Sequence, residues 1–210
     1  MKTAVFSILV AVSSYLLGGI STGLIIGRIK GVNLRQQGSK NTGASNAMRV
    51  MGLKIGLLTY FGDFLKAVLA MLLSMLLLPQ TVFGIANYRL LLSGLFVVIG
   101  HNWPIYYGLK GGKGVACSSA VILFISPLIG GISIAVFFLV LWLWKYISVG
   151  SLSMLAANLL LTALLHPDQP YAIALAAILL GFSLLRHRSN LERLKNGTEN
   201  KITKKERPQS

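Results

Sequence analysis

Two stretches of the chain carry residue types suited to holding an anion. The first, GSKNTGASNAMR at residues 38–49, alternates glycine with small hydroxyl and amide residues. Such a composition lets the backbone turn until its N–H groups point at one centre, while Ser39, Asn41, Asn46 and Arg49 add side-chain donors. Phosphate suits that chemistry; a solvated turn capping the next apolar segment is the plain alternative. The second, GHNWPIYYGLKGGKGVA at residues 100–116, leaves the backbone bare at Gly111, Gly112 and Gly114 around Lys113, with Lys110 alongside. It runs into the apolar GVACSSAVILF, so the free N–H groups of a helix start face the loop, an arrangement resembling an anion nest. It is not a nucleotide-binding P-loop, which needs glycine where Tyr107 stands and a hydroxyl where Gly114 stands. ATP hydrolysis is therefore not indicated.

Other polar residues fall into the same pattern. KYISVGS at 145–151 offers Ser148 and Ser151, either to a pocket or as helix caps. In RHRSNLERLKNGTE at 186–199, His187 and Asn190 are spaced i,i+3 on one helical face and can project back toward the loops. Otherwise this basic tail is an orientation signal and a surface for anionic lipid. His101 is either hydrogen-bonded within a bundle or a base. Asp63 and Lys66, also i,i+3, read as an ion pair snorkelling at the end of a span, though an intramembrane charge is a functional candidate by default. Trp103, Tyr106 and Tyr107 read as an interfacial aromatic belt. No carboxylate cluster, H-x-x-x-H ligand set or Ser-His-Asp arrangement stands out, so metal-assisted hydrolysis and triad chemistry are not expected. What remains is to bind one or two phosphate-bearing molecules and position them for transfer.

The elements that must position these residues are apolar. Hydrophobic residues make up 54% of the 210 and charged ones 12%, the balance of a membrane protein rather than a soluble domain. Apolar runs predict helices at about 4–27, 55–78, 88–107, 114–126, 128–145, 149–165 and 170–186, an all-α bundle of about seven spans. The fourth is short, and five spans plus a re-entrant segment is the alternative. The first is read as a retained span, not a cleaved leader. Twenty Lys and Arg against five Asp and Glu would also fit nucleic acid, but here the charges sort by loop. Arg28, Lys30, Arg35, Lys40, Arg49 and Lys54 lie between the first two runs, and the segment from Arg186 is basic as well. The positive-inside rule then puts the N-terminus outside and the C-terminus in the cytoplasm. Residues 1–195 form one transmembrane domain and 196–210 a basic cytoplasmic tail; membrane lipid, not nucleic acid, is the expected surroundings.

GSKNTGASN with Arg49, GHNWPIYYGLKGGKGVA, and HRSNLERLKNGTE, in that order and joined by apolar spans, resemble the three motifs of the membrane-integral, acyl-phosphate-dependent glycerol-3-phosphate acyltransferases, the PlsY family. YLLGGISTGLIIGR, DFLKA and KYISVGS are similar to that family's connecting segments, so the resemblance covers essentially the whole chain. It implies a seven-span enzyme of the bacterial plasma membrane with its site facing the cytoplasm. The implied reaction moves a fatty acyl group from a long-chain acyl phosphate to the sn-1 hydroxyl of glycerol 3-phosphate, giving lysophosphatidate and phosphate, the first acylation of phospholipid synthesis. An acyl-phosphate-forming enzyme is then an upstream partner, and no cofactor is implied. On this reading Arg49, Lys110 and Asn190 surround the glycerol phosphate, while Ser39, Asn41 and the Gly111–Gly114 backbone hold the acyl-phosphate head. Lys113, Ser39, Asn190 and His101 form the catalytic set; Asn46, Ser148 and His187 contribute to binding. The acceptor proton goes to His101 or to a donor phosphate oxygen. The chain departs from the family pattern at Ser21 or its neighbour, at Ser45 and at Ser189, where proline, threonine and glutamate are usual. A paralogue with another acceptor, or a transporter of a phosphorylated metabolite, is the alternative.

Overall fold

The computed structural model describes residues 1–202, which form helices joined by loops, with one isolated bridge between Val82 and Ile85. In chain order the helices are α1 (Lys2–Gly19), α2 (Thr22–Ile29), α3 (Ala44–Met51), α4 (Leu53–Leu77), α5 (Tyr88–Asn102), α6 (Val115–Ile125), α7 (Pro127–Trp144), α8 (Ile147–Leu165), α9 (Pro170–Arg186) and α10 (Arg188–Lys195). A short 3-10 turn, Ile105–Tyr107, follows α5.

Each of the seven apolar runs is helical, and three physical details add to the expectation. The first run breaks at Ile20, whose backbone is extended, and restarts as α2 with the Ser21 hydroxyl accepting from the Leu24 N–H at 3.4 Å. The fourth run forms α6, whose 11 residues reach only about 16 Å at 1.5 Å per residue, roughly half a bilayer core. The last run ends at Arg186 as expected, and the chain then turns by 61° into a further helix, α10. By length and composition five segments can cross a membrane, Lys2–Ile29, Leu53–Leu77, Tyr88–Tyr107, Pro127–Trp144 and Ile147–Leu165, with the bent α9–α10 pair a possible sixth. The stretch 44–51, expected as loop, is the helix α3.

Small residues set the closest helix contacts, as membrane bundles require. The α1–α5 pair meets at Gly18, where a Cβ would overlap the Val97 carbonyl, and at Gly100, where it would overlap that of Tyr15. The short α6 lies innermost, with Ala116 to Ile122 buried against α4 and α5. Around it Met71, Val97, Val98, Leu155 and Leu179 close the core. Trp142, Phe138, Leu76 and Leu164 are exposed, which is the lipid-facing surface expected of such a bundle.

Candidate active site

The loops at one end of the bundle come together around a cavity of about 440 Å³. Six cationic side chains line it, Arg35, Lys40, Lys110, Lys113, Arg186 and Arg193, beside the neutral donors Ser39, Asn41, Thr42 and Ser189. No carboxylate lines it among the described residues. A concave wall with one sign of charge focuses its field on an anion.

The first wall is the 33–43 loop, and Asn46 is the residue that shapes it. Its buried amide nitrogen donates to the carbonyls of Leu34 at 3.0 Å, Gln37 at 3.1 Å and Asn41 at 2.8 Å, and its oxygen accepts from the Ser39 N–H at 2.8 Å. Expected as a substrate donor, Asn46 instead has its hydrogen-bonding capacity taken by the loop. Asn41 closes the next turn by accepting from Gly43 N–H at 3.0 Å. Ser39 and Asn41 face the cavity, whereas Arg49 stands exposed on α3 outside its lining.

The second wall is the glycine loop, and here too the expectation needs correction. The N–H of Gly111 donates to Asn102 O at 3.2 Å and that of Gly112 to His101 O at 3.0 Å, so neither is available to an anion. Any nest must use the N–H groups from Lys113 onward, at the start of α6, where Gly114 takes φ +79°. The glycines serve close packing: a Cβ on Gly112 would overlap the His101 ring, and one on Gly111 the His101 carbonyl. Two arginines, read from the sequence only as topology charges, clamp this loop. Arg186 donates to Gly112 O at 2.9 Å and Gly111 O at 2.7 Å, with its guanidinium 5.8 Å from the Trp103 ring. Arg35 donates to Lys110 O at 2.7 Å and Tyr107 O at 3.2 Å, and lies over the Tyr107 ring at 5.3 Å. Trp103 and Tyr107 are thus seats for arginines.

The third wall joins the chain's last helix to the glycine loop. Lys113 donates to the Asn190 side-chain oxygen, and the Asn190 nitrogen donates to Glu199 Oε1 at 2.6 Å. Ser148 donates to the same oxygen at 3.0 Å, and Arg193 Nε to Oε2 at 2.8 Å. Glu199, whose side chain is 5% exposed, therefore collects three donors behind the cavity. No role for it was read from the sequence. Burial alone would raise its carboxyl, but bonds from Asn190, Arg193 and Ser148 outweigh that and hold it below the usual range. Burial pulls Lys113 down to about 8; Glu199 opposes this, while Arg193, Arg49 and Arg186 add to it. Ile202 N–H donates to Lys145 O at 2.8 Å and Lys201 lies 5.4 Å from the Tyr146 ring, so residues 196–202, assigned to a tail, fold back onto the site. Lys204, Lys205 and Arg207 lie outside the described residues.

Besides Arg49, the expected site residues Asn46, Gly112, Gly114 and Asn190 stand behind the lining, and Ser148, His187 and His101 are placed elsewhere. Ser148 holds Glu199 and does not line the cavity. His187 stands at the bend between α9 and α10, outside the lining; buried, it contacts Ser183 through Nδ1, 2.8 Å from the carbonyl and 3.1 Å from the hydroxyl. His101 is buried beneath Gly112, its Nδ1 3.0 Å from Lys66 Nζ. Asp63 and Lys66 do form an ion pair, at 2.8 Å, but at 1% and 6% exposure the lysine does not snorkel.

Comparison with known proteins identifies relatives along nearly the whole chain. The family model described as glycerol-3-phosphate acyltransferase matches residues 8–197. A glycerol-3-phosphate acyltransferase of Clostridioides difficile (strain 630) is 39% identical over 94% of this chain and 96% of its own. One from Bacillus subtilis (strain 168) is 38% identical over 92% and 96%. The structure is similar to the crystal structure of PlsY, an integral membrane glycerol 3-phosphate acyltransferase, in its glycerol 3-phosphate form, with TM-score 0.86 and 33% identity over 94% of this chain and 96% of that one. The lysophosphatidic acid form of PlsY gives TM-score 0.83 and 32% identity, over 94% and 95%.

Proposed function

The chain belongs to the glycerol-3-phosphate acyltransferase family, and from that premise we propose that it transfers a fatty acyl group from acyl phosphate to the sn-1 hydroxyl of glycerol 3-phosphate, releasing phosphate and lysophosphatidate. One observation carries the reading: a cavity with six cationic side chains and, among the described residues, no lining carboxylate, at the end of an apolar bundle. Both proposed substrates are phosphates, and a lysophosphatidic acid form is known for the PlsY relative.

In the proposed reaction the acceptor hydroxyl attacks the acyl carbonyl carbon, the ester bond forms and the acyl C–O bond to phosphate breaks. Phosphate leaves with the P–O bond intact and takes up the hydroxyl proton. Because the donor is already activated, positioning and charge neutralisation suffice, and no enzyme nucleophile is needed. Lys110 and Lys113 receive the glycerol phosphate, with Asn190 holding Lys113 in place and Arg49 steering from α3. Ser39, Asn41 and the N–H groups at the start of α6 hold the acyl-phosphate head. His101, with its Nδ1 against an ammonium and its ring under Gly112, is poorly placed to act as the base. That supports the donor phosphate as the proton acceptor. The acyl tail passes between helices into lipid. The site faces the cytoplasm of a bacterial plasma membrane, with the N-terminus outside, on the charge distribution of the loops.

The donor is tested by giving purified protein in lipid glycerol 3-phosphate with palmitoyl phosphate, palmitoyl-CoA or palmitoyl-acyl carrier protein. Lysophosphatidate acylated at sn-1 is expected from palmitoyl phosphate alone. Product from a thioester instead would overturn the donor assignment.

A further inference from the structure

A buried polar cluster lies directly beneath the site and takes no part in the proposed chemistry. Lys66, inside the membrane-spanning α4, is surrounded by three acceptors: Ile20 O at 2.5 Å, Asp63 Oδ1 at 2.8 Å and His101 Nδ1 at 3.0 Å. An ammonium has three protons and no acceptor, so these contacts match its capacity. Ile20 O is available because the first span breaks there, between α1 and α2. Thr22, two residues past the break, donates its hydroxyl to Asp63 Oδ1 at 3.2 Å, and Gly62 admits it, since a Cβ there would overlap the Thr22 side chain. Cys117, near the start of α6, donates Sγ–H to Asp63 O at 3.2 Å. The cluster thus ties the broken first span, α4, α5 and α6 at one point.

Its contact with the site runs through His101. An Nδ1 that accepts from an ammonium leaves the imidazole proton on Nε2, and the partner of one ring nitrogen fixes the role of the other. The Nε2 edge lies against Gly112, close enough that a Cβ there would overlap the ring. Gly112 is also held by the His101 carbonyl on one side and by Arg186 on the other. Its successor, Lys113, reaches Asn190 across the cavity wall. Gly112 is therefore packed between the His101 ring and Arg186, one residue before Lys113.

We propose that Lys66, paired with Asp63, is a positioning residue for acyl transfer, locking His101 as the Nε2–H tautomer and making its ring the platform on which the Gly112–Lys113 loop is registered. The span break at Ile20 belongs to this device, since it supplies the carbonyl that orients the ammonium. A loop displaced by an ångström still collects phosphates from a cationic cavity but aligns them less well, so the loss falls on kcat and spares KM.

The test has two parts and uses the full chain in nanodiscs. Imidazole nitrogen NMR of ¹⁵N-histidine protein, with His101 assigned through His166→Gln and His187→Gln, is expected to show His101 protonated at Nε2 and unprotonated at Nδ1. Lys66→Met is expected to abolish that preference and to lower kcat by about tenfold or more, with KM for both substrates within about twofold. Should Lys66→Met not fold, the charge-neutral Asp63→Asn/Lys66→Met pair carries the same expectation. A wild-type His101 protonated at Nδ1, or a folded variant that keeps its tautomer or its wild-type kcat, overturns the proposal. The kinetic arm rests on the acyl-phosphate reading, but the tautomer is read without substrate. Wild-type protein inactive with acyl phosphate would count against that reading alone.

Discussion

Lys113 and Asn190, 77 positions apart in sequence, are joined by a side-chain hydrogen bond that closes the cavity between the glycine loop and the last helix. Asn190 in turn reaches Glu199, so cation, amide and carboxylate form a chain in which the amide keeps the opposite charges in register without pairing them directly. Asn190→Ala leaves Lys113 unanchored and is expected to lower kcat by about a hundredfold, as loss of an aligned polar group does in transfer sites. Initial rates with palmitoyl phosphate on protein of unchanged melting temperature check this.

The charge of Lys113 also sets a pH dependence. Burial favours the neutral amine, so the ammonium is complete well below pH 8 and is lost as pH rises through about 8. If the ammonium neutralises substrate phosphate, kcat/KM falls on the alkaline side with that midpoint. Glu199→Gln removes the carboxylate that opposes the shift and moves the limb to lower pH, whereas Lys113→Arg, which stays protonated, removes the limb at a reduced rate. A pH–rate profile of the three proteins reads all of this.

Arg186 bonds two successive carbonyls of the glycine loop, a geometry that depends on the guanidinium fork. Lysine keeps the charge but not the fork. Arg186→Lys is expected to reduce kcat/KM by about ten- to a hundredfold, or ~1.4–2.8 kcal/mol. Kinetics at fixed ionic strength, with Arg186→Met for comparison, separate the fork from the charge.

Asn46 stabilises rather than binds. Asn46→Ala strips partners from the Leu34, Gln37 and Asn41 carbonyls and the Ser39 N–H. Leaving the buried Leu34 carbonyl unpaired costs about 1–3 kcal/mol, and the part-buried groups cost less because water reaches them. A lowered melting temperature in detergent is expected, together with a raised KM for the donor as Ser39 loses its place.

The apolar runs made the helices legible because a span must be apolar along its length, and the order of polar loops located the cavity. Local pattern carries less where the deciding contact is distant. Arg186 and Arg35 looked like topology charges because the carbonyls they hold lie 72 to 75 positions away. Glu199 looked like part of a solvated tail because its donors come from α8 and α10. Gly111 and Gly112 have the composition of an anion nest, but their N–H groups face the end of α5, which composition does not record. The break at Ile20 is likewise silent, since the run stays apolar through it and the lysine that takes its carbonyl belongs to another helix. Asn46 shows the reverse: a small polar residue in an anion-binding pattern, used up by the loop that it builds.

Direct acyl transfer within the cationic cavity is tested most directly by phosphate release from palmitoyl phosphate, followed with and without glycerol 3-phosphate on the same protein sample. Phosphate and lysophosphatidate are predicted to appear together in equal amounts, and only when both substrates are present. Phosphate released in a burst without glycerol 3-phosphate, as an acyl-enzyme would give, or no reaction with palmitoyl phosphate at all, would contradict the account.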